Sequence, residues 1–120
     1  MAKILIVDDS ETVRSQLRKD LTESGFQVVE AANGLEGLDV AKTEKPDCIL
    51  CDLNMPKLDG LSMCAQIQKE PGLETVPVFM LTTEAGADAK KRAKEIGILA
   101  WITKPYDSGK LLAGIKKVLA

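Results

Sequence analysis

The chain opens with Lys3-Ile4-Leu5-Ile6-Val7-Asp8-Asp9-Ser10, a short β-branched and apolar run that ends in two aspartates. Such a run has the length and composition of a β-strand that is buried on both faces. Ser10 can then cap a helix with apolar residues at fourfold spacing, and Gly25 is placed to end it. The apolar residues on this spacing are Val13, Leu17 and Leu21. The opening therefore predicts a strand over 3–7 and a helix, with an acidic pair where the strand ends.

The same alternation recurs along the whole chain. Further strands are predicted at 26–30, 47–51, 76–81 and 99–102, and the first of these is more mixed and is expected at a sheet edge. The helices have apolar stripes made of Leu35, Leu38 and Ala41; Leu61, Met63, Cys64 and Ile67; Ala89, Ala93 and Ile96; and Leu111, Leu112, Ile115, Val118 and Leu119. Five strand and helix units predict an α/β fold with a doubly wound parallel sheet, most often in the flavodoxin-like order 2-1-3-4-5.

The composition is that of one ordinary soluble domain. The 120 residues are 45% hydrophobic and 28% charged, with 16 basic and 18 acidic side chains and a net charge of -2. This balance lacks the basic field of a nucleic-acid-binding protein. No apolar run approaches the roughly 20 residues of a membrane span, and none at the start resembles a secretory signal. We expect one domain over residues 1–120, without an output domain, located in the cytoplasm and in contact with neither nucleic acid nor membrane.

Polar residues follow four of the predicted strands. Asp8 and Asp9 follow the first strand, Asp52 follows the third, Thr82 ends or follows the fourth, and Lys104 follows the fifth. Ligands of this fold class bind at the carboxyl ends of the strands, so these residues form the candidate site. Three converging carboxylates repel one another unless cations offset them. Lys104 offsets one charge, and a hard divalent cation such as Mg²⁺ would offset the rest.

A carboxylate between an ammonium group and a divalent cation can attack phosphorus and form an aspartyl phosphate. Asp52 is the best candidate because it stands alone at a strand end, and Thr82 could donate a hydrogen bond to a phosphoryl oxygen. The chain contains no histidine, which excludes a Ser-His-Asp triad or a histidine zinc ligand. Strand-end aspartates also cap loops and helices, but five complementary residues at four strand ends favour the functional interpretation.

Four stretches resemble the receiver domains of bacterial two-component response regulators, in particular the stand-alone chemotaxis regulators. They are residues 6–10, residues 52–56 with Asp59 and Gly60, residues 81–83, and residues 104–106. The resemblance covers essentially all of the chain. It implies a single-domain signalling switch, expected to be monomeric, that catalyses only its own phosphorylation and dephosphorylation.

The resemblance also implies a role for each site residue. Asp52 would be the phosphoacceptor, loaded from a phosphohistidine on a partner kinase. Asp9, the Asp52 carboxylate and the main-chain carbonyl of Asn54 would bind Mg²⁺, with Asp8 acting through water. Lys104 would bind a phosphoryl oxygen.

Phosphorylation would then change a target-binding surface made by the fourth helix, the fifth strand and the fifth helix. Thr82 would move onto the phosphate and Trp101 would respond. The peptide to Pro105 is expected to be cis. Asn54 and Glu84 match the pair that flanks the hydrolytic water in chemotaxis-type regulators, which implies fairly rapid self-dephosphorylation, with a phosphatase as a further candidate partner.

Two positions depart from the commonest family pattern. Thr83 stands where a small residue is usual, and could narrow access to Asp52. Trp101 stands where tyrosine or phenylalanine is commoner, and its bulk could limit the inward swing of the ring.

Other interpretations stay open. A phosphatase of free substrates is disfavoured because Asp52 is followed by Leu53 and Asn54 rather than by a second carboxylate two residues on. A pseudo-receiver would normally have lost Asp52 or Lys104. Binding to a flagellar motor switch, phosphate shuttling and a phosphate sink are all compatible with the motifs, and the chemotaxis interpretation is preferred because Asn54, Glu84 and residues 101–106 match that group.

Two further patterns have a plain structural explanation. Cys48 and Cys51 are three apart on a strand and point to opposite faces, so with Cys64 they are expected to be buried thiols. The basic residues of the fourth helix form either a solvated face or part of the target-binding surface. These residues are Lys90, Lys91, Arg92 and Lys94.

Overall fold

The computed structural model describes residues 2–83 and 86–120. Its strands form one parallel sheet in the order β2-β1-β3-β4-β5, which confirms the predicted flavodoxin-like α/β architecture. The strands are β1 (Lys3–Val7), β2 (Gln27–Ala31), β3 (Cys48–Cys51), β4 (Val78–Thr82) and β5 (Ala100–Thr103). The helices are α1 (Glu11–Glu23), α2 (Gly34–Glu44), α3 (Gly60–Ile67), α4 (Ala87–Ile96) and α5 (Ser108–Leu119).

Two core layers cover the sheet because successive residues of a strand point to opposite faces. Leu5 and Val7 of β1 pack with buried residues of α2, α3 and α4, whereas Ile4 and Ile6 pack with those of α1 and α5. Cys48 and Cys51 are free and buried in opposite layers, as predicted. Among the described residues no helix has the length and apolar character that crossing a membrane requires.

The element boundaries differ from the predicted ones by one or two residues. β2 spans 27–31 rather than 26–30, and β3 begins at Cys48 rather than at 47. β4 begins at Val78 because Pro77 has no amide hydrogen to donate to the ladder. Leu99, predicted within the last strand, precedes β5 and is 54% exposed. β5 is an edge strand and only partly buried, so its apolar run does not indicate burial on both faces.

Two residues that were predicted on buried helix stripes are exposed. Leu35 of α2 is exposed because the buried face of this helix includes Gly34 and Gly37. A Cβ atom on Gly34 would lie 2.1 Å from the carbonyl oxygen of Leu58, so the glycines let α2 approach its neighbours closely. Leu119, rather than Val118, continues the packed face of α5.

Candidate functional site

The sheet register brings the acidic residues together at its carboxyl edge. Val7 pairs with Cys51, so Asp8 and Asp52 leave neighbouring strands at the same level. The amide of Asp52 donates to the carbonyl of Val7 at 3.0 Å and holds this arrangement. One carboxylate oxygen from each of Asp8, Asp9 and Asp52 lies within 4.8 Å of the others. The predicted convergence of three carboxylates is therefore confirmed.

Lys104 joins two of these carboxylates. Its Nζ donates to Oδ2 of Asp8 at 2.7 Å and to Oδ2 of Asp52 at 3.1 Å. Burial lowers the pKa of Lys104, but the hydrogen bonds and charges of the two aspartates outweigh it, so the pKa stays above its ordinary value. The amide of Lys104 donates to the carbonyl of Thr82 at 3.0 Å, which anchors the lysine beside β4.

Backbone amides hold the other oxygens of the two buried carboxylates. Oδ1 of Asp8 accepts a hydrogen bond from the amide of Ser10 at 2.8 Å, and Oδ1 of Asp52 accepts one from the amide of Leu53 at 2.7 Å. Asp8 is 2% exposed and Asp52 is 9% exposed, while Asp9 is exposed. Asp52 is thus held in one orientation and keeps a small exposed fraction.

The segment that joins β3 to α3 turns back, so the start of α3 lies directly against the backbone of Asp52. The amide of Gly60 donates to the carbonyl of Leu53 at 2.9 Å, and a Cβ on Gly60 would lie 2.1 Å from the carbonyl oxygen of Asp52. Only glycine fits this approach without a shift of the backbone. Asn54, two residues after Asp52, is exposed in this segment.

The remaining predicted site residues differ in how far they are buried. Thr82 is the last residue of β4 and is fully buried, and Thr83 after it is exposed. Trp101 of β5 is partly buried against the core layer that includes α4. The peptide between Lys104 and Pro105 is cis, as expected. Glu84 lies outside the described residues.

The donor atoms fit a hard divalent cation. The three carboxylates carry three negative charges, and Lys104 supplies one positive charge, which leaves the cluster with an excess of two. Oxygen ligands with excess negative charge are the ligands that Mg²⁺ prefers in proteins. The residues present are therefore suited to hold Mg²⁺ beside Asp52.

The structure also shows a groove beside Lys104 that the sequence did not indicate. Its volume is about 540 Å³, and it lies between α1 and the segment after β5. Tyr106 donates its hydroxyl hydrogen to Oδ2 of Asp20 at 2.8 Å across this groove. Partial burial, together with the hydrogen bond and charge of Asp20, raises the pKa of Tyr106 above its usual value. The two residues are 86 positions apart, so no local sequence pattern could have paired them.

Comparisons with known proteins agree with this architecture. The family model of the response regulator receiver domain matches residues 4–116. Protein PilH of Pseudomonas aeruginosa is 41% identical over 120 residues, which is 100% of this chain and 99% of that protein. Sporulation initiation phosphotransferase F of Bacillus subtilis is 34% identical over 98% of this chain and 93% of its own length. Some other relatives are longer, and the chain spans about half of their length.

Solved structures show the same similarity. The structure of the chemotaxis protein CheY4 of Vibrio cholerae superimposes with a TM-score of 0.92 at 34% identity, over 98% of both chains. The family model extends from β1 into α5, and PilH matches the chain over its full length. The chain therefore belongs to the response regulator receiver domain family.

Proposed function

We propose that this chain works as the receiver of a two-component phosphorelay. Asp52 accepts a phosphoryl group from a phosphohistidine of a histidine kinase, and the modified protein binds a target. It acts as a monomeric signalling switch rather than as an enzyme of free substrates. In this proposal the kinase, this chain and its target protein are located in the cytoplasm.

The bridging position of Lys104 is the observation that carries this proposal. An ammonium group shared between Asp8 and Asp52 can hydrogen-bond a phosphoryl oxygen once Asp52 carries an acyl phosphate. The Leu53 amide orients the Asp52 carboxylate, so one oxygen can attack phosphorus while the bond from phosphorus to the histidine nitrogen breaks. An ordinary capping aspartate needs no partly buried lysine of this kind.

Mg²⁺ would be held by Asp9, by the Asp52 carboxylate and by the main-chain carbonyl of Asn54. Asp8 would act through water, in line with the hydrogen bonds that both of its oxygens already accept from Ser10 and Lys104. The ion would supply positive charge to the phosphoryl oxygens during transfer.

Switching in this proposal involves residues around Asp52. The hydroxyl of Thr82 moves to the phosphoryl group, Trp101 responds, and the surface of α4, β5 and α5 changes its affinity for the target. Thr83 narrows the approach to Asp52, and Pro105 shapes the segment that presents Lys104. Asn54 and Glu84 flank the hydrolytic water, and a phosphatase can accelerate the loss of the phosphoryl group.

Intact mass spectrometry after incubation with acetyl phosphate tests the phosphoacceptor. We expect one labile phosphoryl group that requires Mg²⁺ and is absent from Asp52→Asn. The matched control is Asp39→Asn, which changes an exposed aspartate on α2 and should leave the adduct unchanged. If the wild-type protein forms no adduct and Trp101 fluorescence does not respond to Mg²⁺, the chain is a pseudo-receiver and the proposal is wrong.

Two relatives favour two different pathways for the phosphoryl group. The similarity to CheY4, a chemotaxis protein, and the residues Asn54, Glu84 and 101–106 favour chemotaxis signalling through a flagellar motor switch. The similarity to a sporulation phosphotransferase favours a shuttle or sink in another relay.

Two binding partners distinguish these pathways. The radiolabelled phosphorylated chain is mixed with purified motor switch protein and, separately, with a purified histidine phosphotransfer protein. Phosphorylation-dependent binding to the first supports chemotaxis, and transfer of label to the second supports a shuttle.

A further inference from the structure

α4 is held to the core by few apolar side chains. Of its ten residues, all of which the structure describes, only Ala93 is buried, while Ala89 and Ile96 are partly buried against the core. Its N-cap residue is Gly86, which has no side chain to cap the helix. Because little apolar surface fixes α4, its position depends strongly on polar contacts with neighbouring elements.

α3, in contrast, is firmly packed. Five of its eight residues are buried, among them Leu61, Met63 and Ile67. Its first residue, Gly60, lies against the backbone of Asp52, where a Cβ atom would be 2.1 Å from the carbonyl oxygen. There is no space between these two backbone segments, so a shift of the Asp52 backbone also moves the start of α3.

Ser62 connects the N-terminus of α3 to α4. Its amide donates to Oδ1 of Asp59 at 2.9 Å, and its hydroxyl donates to Oδ2 of Asp59 at 2.8 Å. The same hydroxyl oxygen accepts a hydrogen bond from Nη2 of Arg92 on α4 at 3.2 Å. Because hydrogen bonds in a chain strengthen one another, the N-cap of α3 and Arg92 of α4 belong to one network.

Gln68 makes a second connection at the other end of α3. It is the C-cap residue of α3, and its Nε2 donates to the carbonyl oxygen of Ile96 at 2.8 Å. Ile96 is the last residue of α4, where carbonyl groups have no partner within the helix. Arg92 and Ile96 are about one helical turn apart and therefore lie on the same face of α4. The bonds from Arg92 to Ser62 and from Gln68 to Ile96 together form the α3–α4 bridge.

We propose that the α3–α4 bridge carries the state of Asp52 to α4. Arg92 and Gln68 are positioning residues in this inference, because neither touches a reacting atom. The inference rests on the proposed function, in which Thr82 and Trp101 respond to the phosphoryl group, and it adds a second path that begins at the Asp52 backbone. Such a path carries coupling only if breaking it changes the coupling, which an experiment can measure.

Hydrogen exchange followed by mass spectrometry tests the bridge on the full chain. The bridge variant is Arg92→Met with Gln68→Met, which keeps two long side chains but removes both donors. The matched control is Lys91→Met with Gln66→Met, which removes the same groups from exposed positions on the same two helices. In the unmodified chain, exchange of the α4 amides should rise about fivefold in the bridge variant, as loss of hydrogen bonds from a locally opening helix predicts. The control should stay within about twofold of wild type.

The coupling is measured by comparing each protein with and without acetyl phosphate and Mg²⁺. In wild type we expect phosphorylation to change the exchange rate of the α4 amides. The ratio of the two rates should fall at least about twofold in the bridge variant, since changes along a coupling path have effects of this order or larger. The control variant should keep the wild-type ratio. A merely structural role would raise the exchange of α4 without changing the ratio.

Single substitutions show whether the parts of the bridge act together. Ser62→Ala and Arg92→Met remove the same hydrogen bond, so their combined effect on the ratio should be smaller than the sum of the two separate effects. Arg92→Lys keeps a charged donor on a long side chain and should restore part of the wild-type ratio. Fully additive effects would mean that Ser62 and Arg92 act separately, which contradicts the bridge.

Three results would overturn the inference. An unchanged ratio in the bridge variant would show that α3 does not carry the coupling, even where α4 exchanges faster. Equal changes in the bridge and control variants would show that the two hydrogen bonds have no special role. An equal rise of exchange in α1 and α4 would show a general loss of stability.

Two further measurements keep the test decisive. If circular dichroism shows that the bridge variant does not fold, Arg92→Met and Gln68→Met are measured separately, and an unchanged ratio in both rejects the inference. Absence of an Asp52 adduct in wild type rejects the proposed function. An adduct in wild type together with an unchanged ratio in the bridge variant rejects this inference alone.

Discussion

Lys104 compensates the negative charges of two buried carboxylates. In Lys104→Met, Asp8 and Asp52 lose the ammonium group that joins them. We expect the free energy of unfolding to fall by about 3 kcal/mol in the absence of Mg²⁺, the low end for a broken buried ion pair, because Lys104 retains some exposure. Urea denaturation followed by Trp101 fluorescence measures this change.

The control for this substitution is Lys42→Met. Lys42 pairs with Glu70 at 3.6 Å on the exposed surface, and its loss should cost under about 1 kcal/mol. Added Mg²⁺ should stabilise Lys104→Met more than it stabilises wild type, since three carboxylates then lack any cation. Equal costs for the two lysines would show that Lys104 does not compensate the buried charges.

The three cysteines illustrate the opposite case, in which reactive groups are kept inert. Burial raises the pKa of Cys48 to about 12, and the contact with Cys64 together with burial raises the pKa of Cys51. Since the thiolate is the reactive form, we expect no labelling of native protein by 5,5′-dithiobis(2-nitrobenzoic acid) at about pH 8 and three labelled thiols in urea. Rapid labelling of native protein would mean that the core opens locally.

At the scale of single elements, the N-cap residue of α3, Asp59, makes the stability of the fold depend on pH. Oδ1 of Asp59 accepts from the amide of Ser62 at 2.9 Å, and Oδ2 accepts from its hydroxyl at 2.8 Å. Burial opposes ionisation of Asp59, but the hydrogen bonds from Ser62 and the charge of Arg92 outweigh it, so the pKa lies below its usual value. This carboxylate therefore stabilises the fold above pH 3.8, and its contribution is lost as the pH falls toward the lower folded value.

Asp59→Ala should lower the free energy of unfolding by about 1 kcal/mol at neutral pH. The difference from wild type should shrink as the pH falls below 3.8, where wild type loses the same charge. Asn33→Ala is the control, because Asn33 caps α2 through the amide of Glu36 at 2.9 Å with an uncharged side chain. Chemical denaturation across this pH range should show a pH-dependent cost for Asp59 only. The same pH dependence for Asn33 would contradict the electrostatic explanation.

The elements were largely predictable because local patterns specify them. Alternating strand and helix signals indicated a parallel α/β sheet, for which the observed strand order is the commonest. Residues at strand ends had to meet at one edge, which is why Asp8, Asp52 and Lys104 could be grouped. The helix faces were less predictable. Leu35 is exposed because glycines on α2 pack closely against other elements, and this packing depends on partners far away in sequence.

Two contacts between distant polar residues away from the strand ends could not be predicted. Arg92 and Ser62 meet only because α3 and α4 lie side by side, and Asp20 and Tyr106 meet only across the groove beside the site. Neither pair has a repeating pattern or a characteristic spacing. The basic run of α4 was visible in the sequence, but only the contact of Arg92 with Ser62 shows that one of its residues faces α3.

At the scale of the whole molecule, the strand order places the acidic cluster and the proposed target-binding surface in different regions. The carboxyl edge of the central strands holds the acidic cluster that we propose accepts a phosphoryl group, and the edge strand β5 belongs to the proposed target-binding surface of α4, β5 and α5. Lys104 follows β5 directly, so one short segment connects the two regions. In the proposed switch, a change at Asp52 therefore needs to move only the residues around β5 in order to reach the surface of α4, β5 and α5.

The hydrogen bond from Tyr106 to Asp20 connects the segment between β5 and α5 to α1. Tyr106→Phe removes this bond and should lower the free energy of unfolding by about 1 kcal/mol at neutral pH, since the bond is partly exposed. The folded pKa of Tyr106 lies above the unfolded value of 10.0, so its contribution is complete below that pH and is lost as the pH rises above it. The difference between wild type and variant should therefore shrink in alkaline solution, as measured by urea denaturation with circular dichroism. Asp20→Asn keeps a hydrogen-bond acceptor but loses the charge. Its free energy of unfolding should lie between those of wild type and Tyr106→Phe. A difference that stays constant through alkaline pH would show that the Tyr106 hydroxyl does not hold the two segments together.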